Sequence, residues 1–94
     1  MRLQAVLPIL FFLTLTACAG NPNSSIALQC ERGLKTAYQE LDLAKAKGFD
    51  GTVEYTKAAA LLGAAKIQKE FGKYPNCIDK VRRAREYIKV SQRK

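Results

Sequence analysis

Apolar and polar positions follow two regimes along the chain. From Ala5 to Leu15 the sequence is apolar except at Pro8 and Thr14. From Ser25 onward, apolar residues recur at steps of three and four, the period of an amphipathic helix. Cys30, Leu34, Ala37, Leu41 and Ala44 make one such stripe, widened by Tyr38. Glu31, Lys35, Gln39, Glu40 and Asp42 fall largely on the other faces, where the pattern assigns them to solvent. The spacing predicts a first helix over Ser25 to Lys47, with Ser24 or Ser25 as its N-cap and Gly48 as its stop.

After a short Phe49-Asp50-Gly51 loop, Thr52 is placed to cap a second helix, with Glu54 in its first turn. This helix, Val53 to Phe71, carries two stripes: Tyr55, Ala58, Leu62 and Ala65, and then Ala60, Ala64, Ile67 and Phe71. Two apolar stripes call for neighbours on both sides, and Gly63 with the alanines predicts close approach. Gly72 ends it. A third helix starts near Pro75, a residue suited to a first turn. Its stripe is Cys77, Val81, Ala84 and Ile88, flanked by Ile78 and Tyr87. The fold expected is all-α: three helices, up-down-up, in one small domain over residues 24–94.

The leading apolar run is too short to cross a bilayer comfortably, which takes roughly 20 residues. With Arg2 ahead of it, it reads as the apolar region of a signal peptide, residues 1–17. It ends in Leu15-Thr16-Ala17-Cys18, which resembles the bacterial lipobox. That resemblance implies cleavage before Cys18, diacylglycerol (palmitate and similar chains) on its thiol, and a lipidated tether over residues 18–23. A plain secretory leader and an uncleaved anchor are the alternatives. Ala19 rather than Asp after the cysteine implies, by likeness to enterobacterial sorting, the outer membrane, with the domain on its periplasmic face.

With Cys18 assigned to lipid, Cys30 and Cys77 remain. An even remainder in a small exported domain points to one disulfide bond. A loop of 47 positions is worth roughly 4 kcal/mol in the loop-entropy account. In an up-down-up layout both cysteines lie at the same end, because the first and third helices run parallel. Catalytic redox pairs usually stand as C-x-x-C, and this pair does not.

Leu62-Gly63, Gly72-Lys73-Tyr74, Cys77 and Ala84 resemble a single tetratricopeptide repeat, with two extra residues between Gly63 and Gly72 and Lys66 where that family places an aromatic. The likeness implies a tetratricopeptide-like helix pair and, by extension, a protein-interaction module. Across the whole chain, the lipobox, the cysteine pair and the Lys73–Cys77 turn resemble small Gram-negative lipoproteins, a likeness that implies no activity. The terminal Arg93-Lys94 is similar to the end of the murein lipoprotein family, whose last lysine is joined to peptidoglycan, though that family's continuous heptad helix is missing here.

Charge narrows the function classes. Lys and Arg number 16 against 8 Asp and Glu, and His is absent, which removes the commonest metal ligand and general base. No catalytic constellation, phosphate loop or metal motif stands in the sequence, so the chain reads as non-enzymatic, with no cofactor and no metal. The tyrosines read as packing residues. The third helix and the tail after it concentrate cations: within residues 80–94, Lys80, Arg82, Arg83, Arg85, Lys89, Arg93 and Lys94 stand against Glu86 alone. These form the candidate binding patch; a solvated face is the plainer reading. For an exported domain its anionic partners would be an envelope protein surface, peptidoglycan or lipid phosphate rather than nucleic acid. The expected role is a membrane-tethered adaptor, with a structural tether between outer membrane and peptidoglycan as the alternative.

Overall fold

A computed structural model of the chain describes residues 21–93. The leader, Cys18 and Lys94 lie outside the described residues. Helix α1 spans Ser25–Ala46, a 3-10 turn spans Phe49–Gly51, α2 spans Val53–Glu70 and α3 spans Tyr74–Ser91. There is no strand among the described residues, and the fold is the expected all-α, three-helix one.

The boundaries follow from local chemistry. Ser24 is the N-cap of α1, its hydroxyl accepting the Ala27 N–H at 3.2 Å. Thr52 does the same for α2, accepting from the Tyr55 N–H at 3.1 Å. Each cap satisfies one of the orphan amides of a first turn. At the far end of α2, Gly72 takes the left-handed conformation at φ 73°. The Lys73 N–H then reaches the Gln68 carbonyl at 2.9 Å and the Gly72 N–H the Lys69 carbonyl at 3.0 Å. That pairing is a Schellman motif and turns the chain directly into α3. Gly48, at φ 92°, ends α1 in the same left-handed region.

Three ties between α1 and α3 fix their relation. Cys30 joins Cys77, Glu40 joins Arg85 and Lys47 joins Gln92. The residue numbers differ by 47, 45 and 45. A nearly constant difference, here within two residues, is what two parallel helices of equal rise show. Between α2 and α3, Lys57 lies over the Tyr87 ring and Asn76 bonds to Gln68. The two contacts pair residue numbers that rise on one helix as they fall on the other, the mark of an antiparallel pair. The arrangement is therefore up-down-up.

The core is built from the α1 stripe, the first α2 stripe and the α3 stripe read from the sequence, with Ala27 and Tyr74 added. Cys30, Leu34, Ala37, Leu41 and Ala44 from α1 meet Ala58, Leu62 and Ala65 from α2 and Cys77, Val81, Ala84 and Ile88 from α3. So many alanines draw the helices close. The tightest helix approach tied to a glycine lies at Gly33, where an added Cβ would stand 3.2 Å from Val81 Cγ1. Gly63, expected to permit such an approach, has open space where a Cβ would be. The second stripe of α2 also differs from expectation. Ile67 is 52% exposed and Phe71 69%, because α1 and α3 both pack on the opposite side of the helix.

Candidate functional site

Among the residues assigned to the basic patch, α3 separates two groups. Arg82, Arg85 and Lys89 are spaced three and four apart and lie on one face, beside α1. Lys80 and Arg83 lie on another face of the helix. Arg93 is exposed beyond the last helical turn, and Lys94 lies outside the described residues. The first group lines a shallow groove of about 270 Å³ between α1 and α3. Its floor is apolar, made by Gly33, Ile78 and Val81. The groove exists because Gly33 carries no side chain where the two helices come together.

The cations along this groove are not equivalent. Arg85 grips Glu40 with two hydrogen bonds, Nε to Oε1 at 2.8 Å and a terminal nitrogen to Oε2 at 2.9 Å. This bidentate contact holds the Glu40 carboxyl below the ordinary carboxylate range; burial opposes the shift without overcoming it. The same bond raises the guanidinium of Arg85. Arg82 and Arg83 share Asp79 on α3, and Lys89 stands 3.8 Å from Glu86. Arg82 and Lys89 keep most of their side chains in water, so these exposed pairs hold them weakly. Arg85 is therefore part of the architecture, and Arg82 with Lys89 is what a partner would meet.

Sequence reasoning assigned Glu40 to a solvated face and missed its partner. The cysteine offset of 47 would set Glu40 level with Tyr87; the actual partner, Arg85, lies two positions earlier, so the offset alone does not single it out.

The cysteines meet as expected. Cys30 and Cys77 are fully buried, with their Cα atoms 5.7 Å apart and their sulfurs at bonding distance. Tyr74 is part of the core, and Tyr38, Tyr55 and Tyr87 pack against it. Lys66 lies over Tyr38 at 5.7 Å, as Lys57 does over Tyr87 at 5.4 Å. Among the described residues no cluster of three or more His, Cys, Asp or Glu side chains is placed to hold a metal. No helix among them is long and apolar enough to cross a membrane. No family model, no curated protein and no solved structure matches the chain.

Proposed function

We propose that this chain is a non-enzymatic envelope lipoprotein, held to the outer membrane by lipid on Cys18, whose three-helix domain serves as a small adaptor for a protein partner on the periplasmic side. The observation that carries the reading is the Leu15-Thr16-Ala17-Cys18 box at the end of a short apolar run. The closed Cys30–Cys77 pair supports it, since such bonds persist where the environment is oxidising. The groove between α1 and α3 is the contact surface we favour, with Arg82 and Lys89 as its accessible cations above an apolar floor. It suits an acidic segment carrying an apolar side chain. The tetratricopeptide-like pairing of α2 and α3 belongs to the same proposal.

The mass of the mature protein tests the anchor. A chain beginning at Cys18 and carrying acyl mass is expected, and Cys18→Ser should leave the protein unacylated. In-cell crosslinking tests the adaptor role: a partner should be captured by the parent chain and lost on Arg82→Glu with Lys89→Glu. Capture that is indifferent to this charge reversal would exclude the groove.

A second reading, a tether between outer membrane and peptidoglycan, is favoured by the cationic α3 and the terminal Arg93-Lys94 pair. Digestion of purified peptidoglycan should then release a Lys94 peptide bearing a muropeptide. Its absence excludes the covalent form.

A further inference from the structure

We infer that one end of the helical bundle rests directly on the lipid surface, with Phe71 as its principal contact. This inference rests on the lipid-anchor reading of Cys18 and adds an orientation and a second point of attachment.

Three observations converge on that end. Exposed large apolar side chains are unevenly distributed among the described residues. Ile26 and Leu28 are in the first turn of α1, and Ile67 and Phe71 are at the close of α2, whereas Leu43 and Val53 alone lie toward the opposite end. Phe71 is the most exposed of the six. It sits in the turn between α2 and α3.

The chain also enters the bundle there. Pro22 shares a cleft with Gly72 and Tyr74, so the tether arrives beside the Phe71 turn. Little slack remains in it. The Ser24 N–H and hydroxyl both bond to the Asn21 carbonyl, at 3.2 and 3.0 Å, and the Asn23 N–H bonds to the Asn21 side chain at 2.9 Å. Residues Asn21 to Ser24 are thus a closed turn. Only the three residue steps from Cys18 to Asn21 are left to extend, at most about 11 Å. A lipid on Cys18 cannot sit in a membrane without bringing this end of the bundle to the headgroups.

The side chains there suit such a surface. A phenylalanine at the tip of a turn presents its ring to the interface, and exposed Lys73 beside it can keep its ammonium at headgroup level. The contact needs no charge on the lipid, since Glu31, Glu70 and Asp79 occupy the same end as Arg32, Lys69 and Lys73.

The chain contains no tryptophan, so a single one reports its own surroundings. Lipid-bearing protein with Phe71→Trp, in vesicles whose acyl chains are brominated, should show blue-shifted and quenched emission. Leu43→Trp in the same vesicles should remain unquenched. In transfer between donor and acceptor vesicles, Phe71→Ala should leave about tenfold faster than the parent.

Unquenched Phe71→Trp in protein that floats with the vesicles would overturn the inference while leaving the anchor intact. A blue shift that grows with protein concentration and needs no vesicles would assign Phe71 to a second copy, and would overturn it as well. Protein that lacks acyl mass and does not float would instead mark failure of the anchor reading itself.

Discussion

The two ends of the bundle are built to different standards. At the end where α1 and α3 begin, a covalent bond between Cys30 and Cys77 crosses the helices, Ser24 caps α1, and a Schellman turn joins α2 to α3. At the other end, where α1 and α3 stop, the corresponding tie is a single exposed hydrogen bond of 3.4 Å from Lys47 to Gln92. The Glu40–Arg85 pair stands between them. A domain this small has little core to spare, and its strongest constraint lies at the end where α1 begins. The difference teaches that the ties between α1 and α3 weaken along the bundle, in the order disulfide, bidentate ion pair, surface hydrogen bond.

Removing the staple should have the largest effect, because it makes the two ends alike. Cys30→Ser with Cys77→Ser should lower stability by about 4 kcal/mol and the melting temperature by roughly 20 °C, read by thermal and urea denaturation followed by circular dichroism. Gly33→Leu tests the close approach that lies beside the staple. It should cost about 1–3 kcal/mol by forcing α1 off Val81, and Val81→Ala should restore part of the loss.

At mid-bundle, Glu40→Gln should cost about 1 kcal/mol, a modest value because both partners are partly exposed. The sign of its pH dependence is fixed by the depressed carboxyl of Glu40. Its contribution is complete above the unfolded glutamate value of about 4.3 and disappears as pH falls through the lower folded value. The parent and the variant should therefore differ at neutral pH and converge in acid. The smallest effect is expected at the open end, where Lys47→Ala should change stability by less than about 0.5 kcal/mol. Native-state hydrogen exchange should show the last turns of α1 and α3 opening before the segments around Cys30 and Cys77. Equal protection at both ends would remove the comparison altogether.

The helices were legible because each local signal agreed with the others. The stripe from Cys30 to Ala44, the Thr52 cap and the left-handed Gly48 and Gly72 all act within one turn of chain, and the structure keeps them within a residue or two of their expected bounds. The cysteines alone indicated that α1 and α3 begin at the same end, but their offset of 47 misses the offset of 45 at the other two ties. What escaped depended on the angle at which helices face one another. Periodicity places Gly33 and Gly63 equally well on a helix, but only packing decides that Gly33 meets Val81 while Gly63 faces open space. For the same reason the seven-cation patch read from the sequence could not be divided. The sequence shows that Arg82, Arg85 and Lys89 share a face, but not that α1 adjoins that face or that Glu40 already occupies Arg85.

The disulfide has a topological consequence as well as a thermodynamic one. Cys30 lies in α1 and Cys77 in α3, so all of α2 and both interhelical turns are enclosed in the covalent ring they close. A protease that cuts the backbone once, at Phe49–Gly51 or at the Phe71 turn, opens the ring without freeing a fragment. The N-terminal piece would still carry α3 with it, and only reduction would release the cationic helix from α1.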